Sequence, residues 1–240
     1  MQAASQPLPG LDMSVHTQDR DGIKVVLLDR PERRNAIDMT TVVDLRRALE
    51  SASEAVVVLG STDPRSFSSG ADLSVSNDAR AAVSKGLYEL YEQMRAVKQI
   101  IVAAASGHAV GGGAQLLLAS DIRIAGPDLK IRFVGPGHGL VVGAWGLASL
   151  VGRGRAMDLC LSMRPVDAAE ALAIGLVDRV VADPLQGAIE YARMVSELDP
   201  KTLPAIKRIV ATASIGDALG LERKHNSGWD GDIPNRGRTE

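Results

Sequence analysis

Two short stretches of this 240-residue chain gather glycines shortly after runs of apolar, mostly β-branched residues. FSSGADL (67–73) comes after AVVVLG, and GHAVGGGAQ (107–115) comes after IIVAAAS. A strand leading into such a turn exposes backbone N–H groups, because glycine permits close approach and dihedrals that other residues resist. In the second stretch a helix begins at once, which puts the N–H of Gly112 or Gly113 at the positive end of a helix dipole. Two N–H donors converging on one point are what an acyl oxygen needs when negative charge develops on it. The same glycines also suit plain tight turns, and glycine content alone does not choose between the two.

Other chemistries fail on spacing. GHAVGGG is not followed by Lys-Ser/Thr, so it is no phosphate-binding loop of the nucleotide-hydrolase kind, and it lacks the G-x-G-x-x-G spacing of a dinucleotide site. No G-x-S-x-G elbow offers a serine nucleophile. His16, His108, His138 and His225 have no ligand spacing, so no metal is expected. Cys160 is the only cysteine, which excludes an intrachain disulfide and any multi-cysteine zinc site.

The elements that must hold these turns read as α/β. IKVVLL (23–28) and AVVVL (55–59) are short and β-branched, hence strands, and 100–105, 122–125 and 131–134 read likewise. Val42, Val43, Leu45 and Leu49 fall at helical spacing, as do Leu87, Leu90, Tyr91, Met94 and Val97 within 78–97. Residues 106–112 read as a turn and 113–119 as a short buried helix. Strand, loop and helix in succession indicate parallel crossovers. Residues 1–20 read as a loose arm, and 135–146, with five glycines and a proline, as irregular. Helices are expected over 156–163, 167–174, 184–198, 201–213 and 217–229, with one short strand at 176–181. The division that follows is an α/β core over 1–195 and a helical C-terminal region over 196–240.

Composition bounds the partners. The chain is 45% apolar and 23% charged, an ordinary globular balance, and at this length roughly 70–75% of the unfolded surface is buried on folding. Against 29 acidic residues stand 27 basic ones, a net charge of −2 that argues against general nucleic-acid or anionic-membrane binding. No apolar run approaches the roughly 20 residues of a membrane span. The start, MQAASQPLPGLDM, has neither a basic flank nor an apolar segment, so no secretory signal is expected and the cytoplasm is the default.

In order, LLDRPERRNAID, FSSGADL and AAASGHAVGGGAQLLLASDIRIA resemble the enoyl-CoA hydratase/isomerase (crotonase) family. The resemblance runs from residue 22 to 230 and takes in VGRGRAMDLCLSMRPVDAAEALAIGLVDRVV. It implies a crotonase-like ββα superhelix with a helical C-terminal trimerisation region, assembled as a homotrimer or dimer of trimers. It also implies an acyl-CoA substrate from fatty-acid or related metabolism. No separate cofactor is implied, since coenzyme A arrives with the substrate. By the same resemblance Ala71 and Gly112 supply the two oxyanion-hole N–H groups. Arg33, Arg34 and Ala36 belong to the loop that holds the CoA nucleotide, and the backbone of Ser69, beside Ala71, meets the adenine. Glu32 stands where the family often has lysine, and Asp72 is its loop aspartate, read as a loop-fixing acceptor first and a catalytic group second.

The family's hydratases use two glutamates, and both are missing. The first would stand two residues after the third glycine of GGG, where this chain has Gln115. An amide has no pKa near neutrality and serves as neither general acid nor base, although it can orient a water or an acyl chain. The second would lie in DLKIRFVGPGHG, which offers Asp128, Arg132 and His138 but no glutamate. The segment 144–152 is also a few residues shorter than the family pattern. His138 is the obvious titrating replacement, and its alternative is an exposed histidine in a glycine-rich turn. His108 reads as turn filler, and Trp145 as pocket wall or core. Arg236 and Arg238 are weak substitutes for the basic C-terminal segment of relatives. Three readings stay open: an acyl-CoA enzyme, an acyl-CoA-binding protein with little hydratase activity, and a trimeric scaffold.

Overall fold

Strands buried on both faces need no polar alternation, and the runs around residues 57 and 102 follow that rule. The computed structural model describes residues 14–211, 220, 223–224 and 226–228. A six-stranded sheet holds β1 (Val15–Asp19), β2 (Lys24–Leu28), β3 (Val56–Ser61), β5 (Ile100–Ala105), β7 (Ile122–Ala125) and β10 (Arg179–Val180), in that spatial order. Only the β1–β2 pair is antiparallel. A smaller sheet holds β4 (Ser66–Ser68), β6 (His108–Val110), β8 (Lys130–Arg132) and β9 (Val166–Asp167), parallel except at β8–β9.

Each central strand of the large sheet runs on into a strand of the small one, and a helix follows. The repeats are β3–β4 then α2 (Asn77–Ala96), β5–β6 then α3 (Gly112–Ala119), and β7–β8 then α4 (Ala144–Val151). This is the ββα repeat that the resemblance implies. Alternate residues of the central strands face two apolar layers. Val57, Leu59, Ile101 and Ala103 pack with Leu45 of α1 (Met39–Glu50) and with Leu90 and Met94 of α2. Val56, Val58, Val102 and Ala104 pack with Ala188, Ile189 and Ala192 of α7 (Pro184–Ser196). Further along lie α5 (Arg153–Ser162), α6 (Ala168–Ala173) and α8 (Thr202–Ala211). No helix among the described residues is long and apolar enough to cross a membrane.

The passage from one sheet to the other demands a glycine at position 107. Its φ is +62°, and a Cβ there would lie 1.9 Å from the Arg65 carbonyl oxygen. That contact is the close approach by which the His108 N–H reaches the same oxygen at 3.1 Å and starts β6.

Several expectations need correction. Residues 15–19 are not a loose arm but β1, paired with β2 from Val15 opposite Leu28 to Asp19 opposite Lys24. β1 is an edge strand with only Val15 buried, so its apolar signal is a single residue. The stretch 106–112 contains β6 as well as a turn, and 135–146 runs into α4 from Ala144. The strand expected over 131–134 occupies 130–132, and the one at 176–181 shrinks to Arg179–Val180. The expected helix over 217–229 lies largely outside the described residues, as do His225, Arg236 and Arg238.

Candidate active site

The loop after β2 is folded around a buried asparagine. Arg34 and Asn35 both take φ of 52°, a left-handed conformation in which Asn is enriched. The Asn35 Nδ2 donates to Ser61 Oγ at 2.7 Å and to the Ser66 carbonyl at 2.9 Å, while its Oδ1 accepts from the Arg30 N–H at 2.7 Å. The Arg30 guanidinium donates to the Ala36 carbonyl at 2.6 Å and pairs with Asp38 at 3.0 Å. Thus anchored, Arg33 and Arg34 are exposed, with no ion pair among the described residues, and Ala36 is half-buried.

This loop is zipped to the FSSGADL turn. The Ser69 N–H donates to the Arg34 carbonyl, the Ile37 N–H to the Gly70 carbonyl, and the Asp72 N–H to the Ile37 carbonyl, at 2.8–2.9 Å. Ile37 therefore bonds the residues on either side of Ala71, whose own N–H faces the other way, as strand geometry dictates. Asp72 is buried and accepts from the Ser74 N–H at 2.9 Å and Oγ at 2.6 Å. Burial alone would raise its carboxyl, but the Ser74 bonds and the nearby Arg30 and Arg33 hold it below the usual carboxylate range. It is a loop-fixing acceptor.

Gly112 opens α3, where an N–H has no intrahelical acceptor. Its neighbourhood is tight: a Cβ at Gly112 would lie 2.9 Å from Leu87 Cδ1 and 3.6 Å from the Ala71 nitrogen. Behind it, Tyr91 Oη donates to the Gly112 carbonyl at 3.0 Å. The two expected amides are thus neighbours, contributed by different turns. Ala71 and Gly112 line one cavity of about 680 Å³, mouth included, together with Ser69, Gln115 and His138. Among the described residues, no Asp or Glu lines it.

Gln115 is buried, and its role differs from orienting a water with its oxygen. Its Oε1 accepts from the Gly143 N–H at 3.0 Å and from Trp145 Nε1 at 2.9 Å, so it ties α3 to the start of α4. The Trp145 ring, buried and stacked on Tyr91 at 6.1 Å, belongs to the core rather than to the cavity wall. Gln115→Ala should cost about 2 kcal/mol, because it strands two buried donors; urea unfolding measures it, and an unchanged midpoint would remove this structural role.

His138 ends a one-turn helix over Pro136–His138 and lines the cavity half-buried, so it is not a fully exposed loop histidine. Burial pushes its imidazole below the ordinary value, and the buried Nδ1 has no hydrogen-bond partner. His108 is exposed and off the cavity wall; Asp128 and Arg132 are exposed and also absent from it.

Sequence reasoning missed the clasp at the cavity edge. Asn226 Nδ2 donates to Tyr88 Oη at 2.7 Å and to the Val141 carbonyl at 2.9 Å. Both Tyr88 and Asn226 line the cavity. Nothing in the neighbouring sequence marks Asn226 for this, and Tyr88 reads only as a helix residue.

The profile of the enoyl-CoA hydratase/isomerase family matches residues 18–230. A protein of Mycobacterium leprae named "Probable enoyl-CoA hydratase" is 36% identical over 201 residues, covering 79% of each chain. A mitochondrial one of Arabidopsis thaliana, named in the same way, is 33% identical over 202 residues, covering 79% of this chain and 67% of that one. Among solved structures, the enoyl-CoA hydratase of Thermoplasma volcanium superposes with a TM-score of 0.78 at 29% identity, covering 89% of this chain and 92% of that one.

Proposed function

The chain belongs to the enoyl-CoA hydratase/isomerase family, and on that footing we propose that it binds acyl-CoA thioesters and stabilises their enolate. One observation supports the reading: Ala71 and Gly112, from two separate turns, are close neighbours and line one cavity. An oxygen resting between them receives two preorganised donors, one reinforced by the start of α3. Such donors favour the charged enolate over the neutral thioester, which is what lowers a barrier. Coenzyme A arrives with the substrate, so no separate cofactor is required.

Arg33 and Arg34 are exposed beside this cavity's Ser69 wall, tied there through the Arg34 carbonyl. We assign them to the phosphates of the CoA nucleotide, with Ala36 and the Ser69 backbone on the adenosine side. The double variant Arg33→Ala/Arg34→Ala should weaken butanoyl-CoA binding by about tenfold at low salt and less at high salt, as expected of exposed charge-assisted contacts. Calorimetry against butanoyl-pantetheine, which lacks the nucleotide, is the control. Equal loss for both ligands would defeat the assignment.

A second reading is favoured by Gln115. With an amide in place of the first carboxylate and no Asp or Glu among the described residues of the cavity wall, the chain would be an acyl-CoA binder with little hydratase activity. Micromolar binding of butanoyl-CoA separates both readings from a pure scaffold, which would bind none. We further expect a homotrimer or dimer of trimers in the cytoplasm, acting in fatty-acid or related acyl-CoA metabolism. The exposed Ile206, Ile209 and Val210 of α8 support assembly, and sedimentation measures it.

A further inference from the structure

We propose that His138 is the proton-transferring group of this cavity, removing and returning a proton at the α or γ carbon of an acyl-CoA. The inference rests on the amide-pair reading above and adds the base that reading lacks.

The cavity wall leaves few alternatives. Among the described residues that line it, Arg80, Tyr88 and His138 carry the side chains able to titrate. Arg80 stays charged and is committed to the Leu73 and Val75 carbonyls at 3.0 and 2.7 Å. Tyr88 Oη is engaged with the Val141 carbonyl and Asn226. His138 differs on both counts. Its backbone is fixed, because its N–H and that of Leu140 donate to the Gly135 carbonyl at 2.9 and 3.0 Å. Gly135 itself is packed so closely that a Cβ would lie 2.6 Å from the Leu140 carbonyl oxygen. His138 lines the cavity while its buried Nδ1 is unpaired among the described residues, and an unsatisfied buried polar atom calls for an explanation. Burial lowers its titration and favours the neutral ring that has a lone pair to offer.

The step balances with one base. The α C–H bond breaks, its proton goes to the imidazole nitrogen bearing the lone pair, and the electron pair moves into the enolate. The negative charge rests on the thioester oxygen between Ala71 and Gly112. The imidazolium then returns a proton to the α carbon, which is exchange, or to the γ carbon of a 3-enoyl chain, which yields the 2-enoyl isomer. No water, oxidant or second carboxylate is consumed.

Deuterium uptake at the α carbon of butanoyl-CoA in D2O, followed by mass spectrometry, tests this together with calorimetric binding. The intact chain should exchange well above buffer, and His138→Gln should lower the rate by about 10²-fold or more while the ligand still binds. Because the neutral ring is the active form and burial lowers its pKa, the wild-type rate should fall on acidification only below the ordinary imidazole value of about 6.5. That limb should vanish in the variant. His138→Asn provides a second variant should the first fail to fold. If butanoyl-CoA does not bind the intact chain, the amide-pair reading falls first. If it binds without exchange, or if both His138 variants exchange at the wild-type rate, the inference alone is overturned.

Discussion

Gly112→Pro should lower turnover of an acyl-CoA substrate by about 10²–10³-fold in kcat, the loss typical of one oxyanion donor. Proline removes the N–H and puts a ring carbon where the thioester oxygen would lie. The position tolerates it otherwise: Gly112 is the first residue of α3, where proline is common and the N–H has no helical acceptor. The remaining strain is local. A Cβ at this site meets Leu87 Cδ1 at 2.9 Å, and that atom is the end of a flexible side chain. Gly112→Ala meets the same contact and keeps the amide, so the difference between the two variants reports the lost donor together with the ring carbon that takes its place. Steady-state kinetics with unfolding curves measures it. A proline variant as active as the alanine variant would show that the Gly112 amide does not touch the reacting oxygen.

How much of this was legible depends on the length of the signal. β3 and β5 are six residues each, apolar but for the Gly60–Ser61 end of β3, and bounded by turns, so composition alone marks them. The small sheet is built from strands of two or three residues, too short for any alternation to register, and FSSGADL and GHAVGGG therefore read as turns only. Helix α4 was obscured by Gly143 before it and Gly146 within it, although both positions are crowded: a Cβ at Gly143 would meet Phe133 at 2.4 Å. The amide pair was legible because glycine must sit where backbone approaches backbone, and Gly70 would otherwise press a Cβ to 2.7 Å from the Val110 carbonyl. The partners of the side chains were not. Gln115 finds its two donors 28 and 30 residues away, and Tyr88 finds Asn226 across 138 residues. Such pairings are set by the superhelix, not by local pattern. For the same reason the Asn35 anchor passed unnoticed within PERRNA: its side chain is buried only because Ser61 and Ser66 arrive from the next strand pair.

The intact chain should hydrate crotonyl-CoA with a kcat/KM below about 10⁴ M⁻¹s⁻¹, the lower end for an efficient enzyme, and Gln115→Glu should raise that rate by about 10²-fold. Hydration must activate a water toward the β carbon and deliver a proton to the α carbon, and the described residues of the cavity wall include no carboxylate for the first task. The substitution is close to isosteric. One carboxylate oxygen can keep the Gly143 N–H and Trp145 indole N–H that the Gln115 Oε1 now holds, so the tie between α3 and α4 survives. The other oxygen takes the place of the amide nitrogen on the cavity side. Two donors on the retained oxygen favour the ionised form against the opposing effect of burial, which leaves a base beside the amide pair, with His138 on the same wall to carry the second proton. Spectroscopic loss of the enoyl thioester measures both parts. Efficient hydration by the unmodified chain would mean that water is activated by a group outside this cavity wall. A folded Gln115→Glu variant with no gain would mean that the cavity does not place the β carbon and a water beside residue 115.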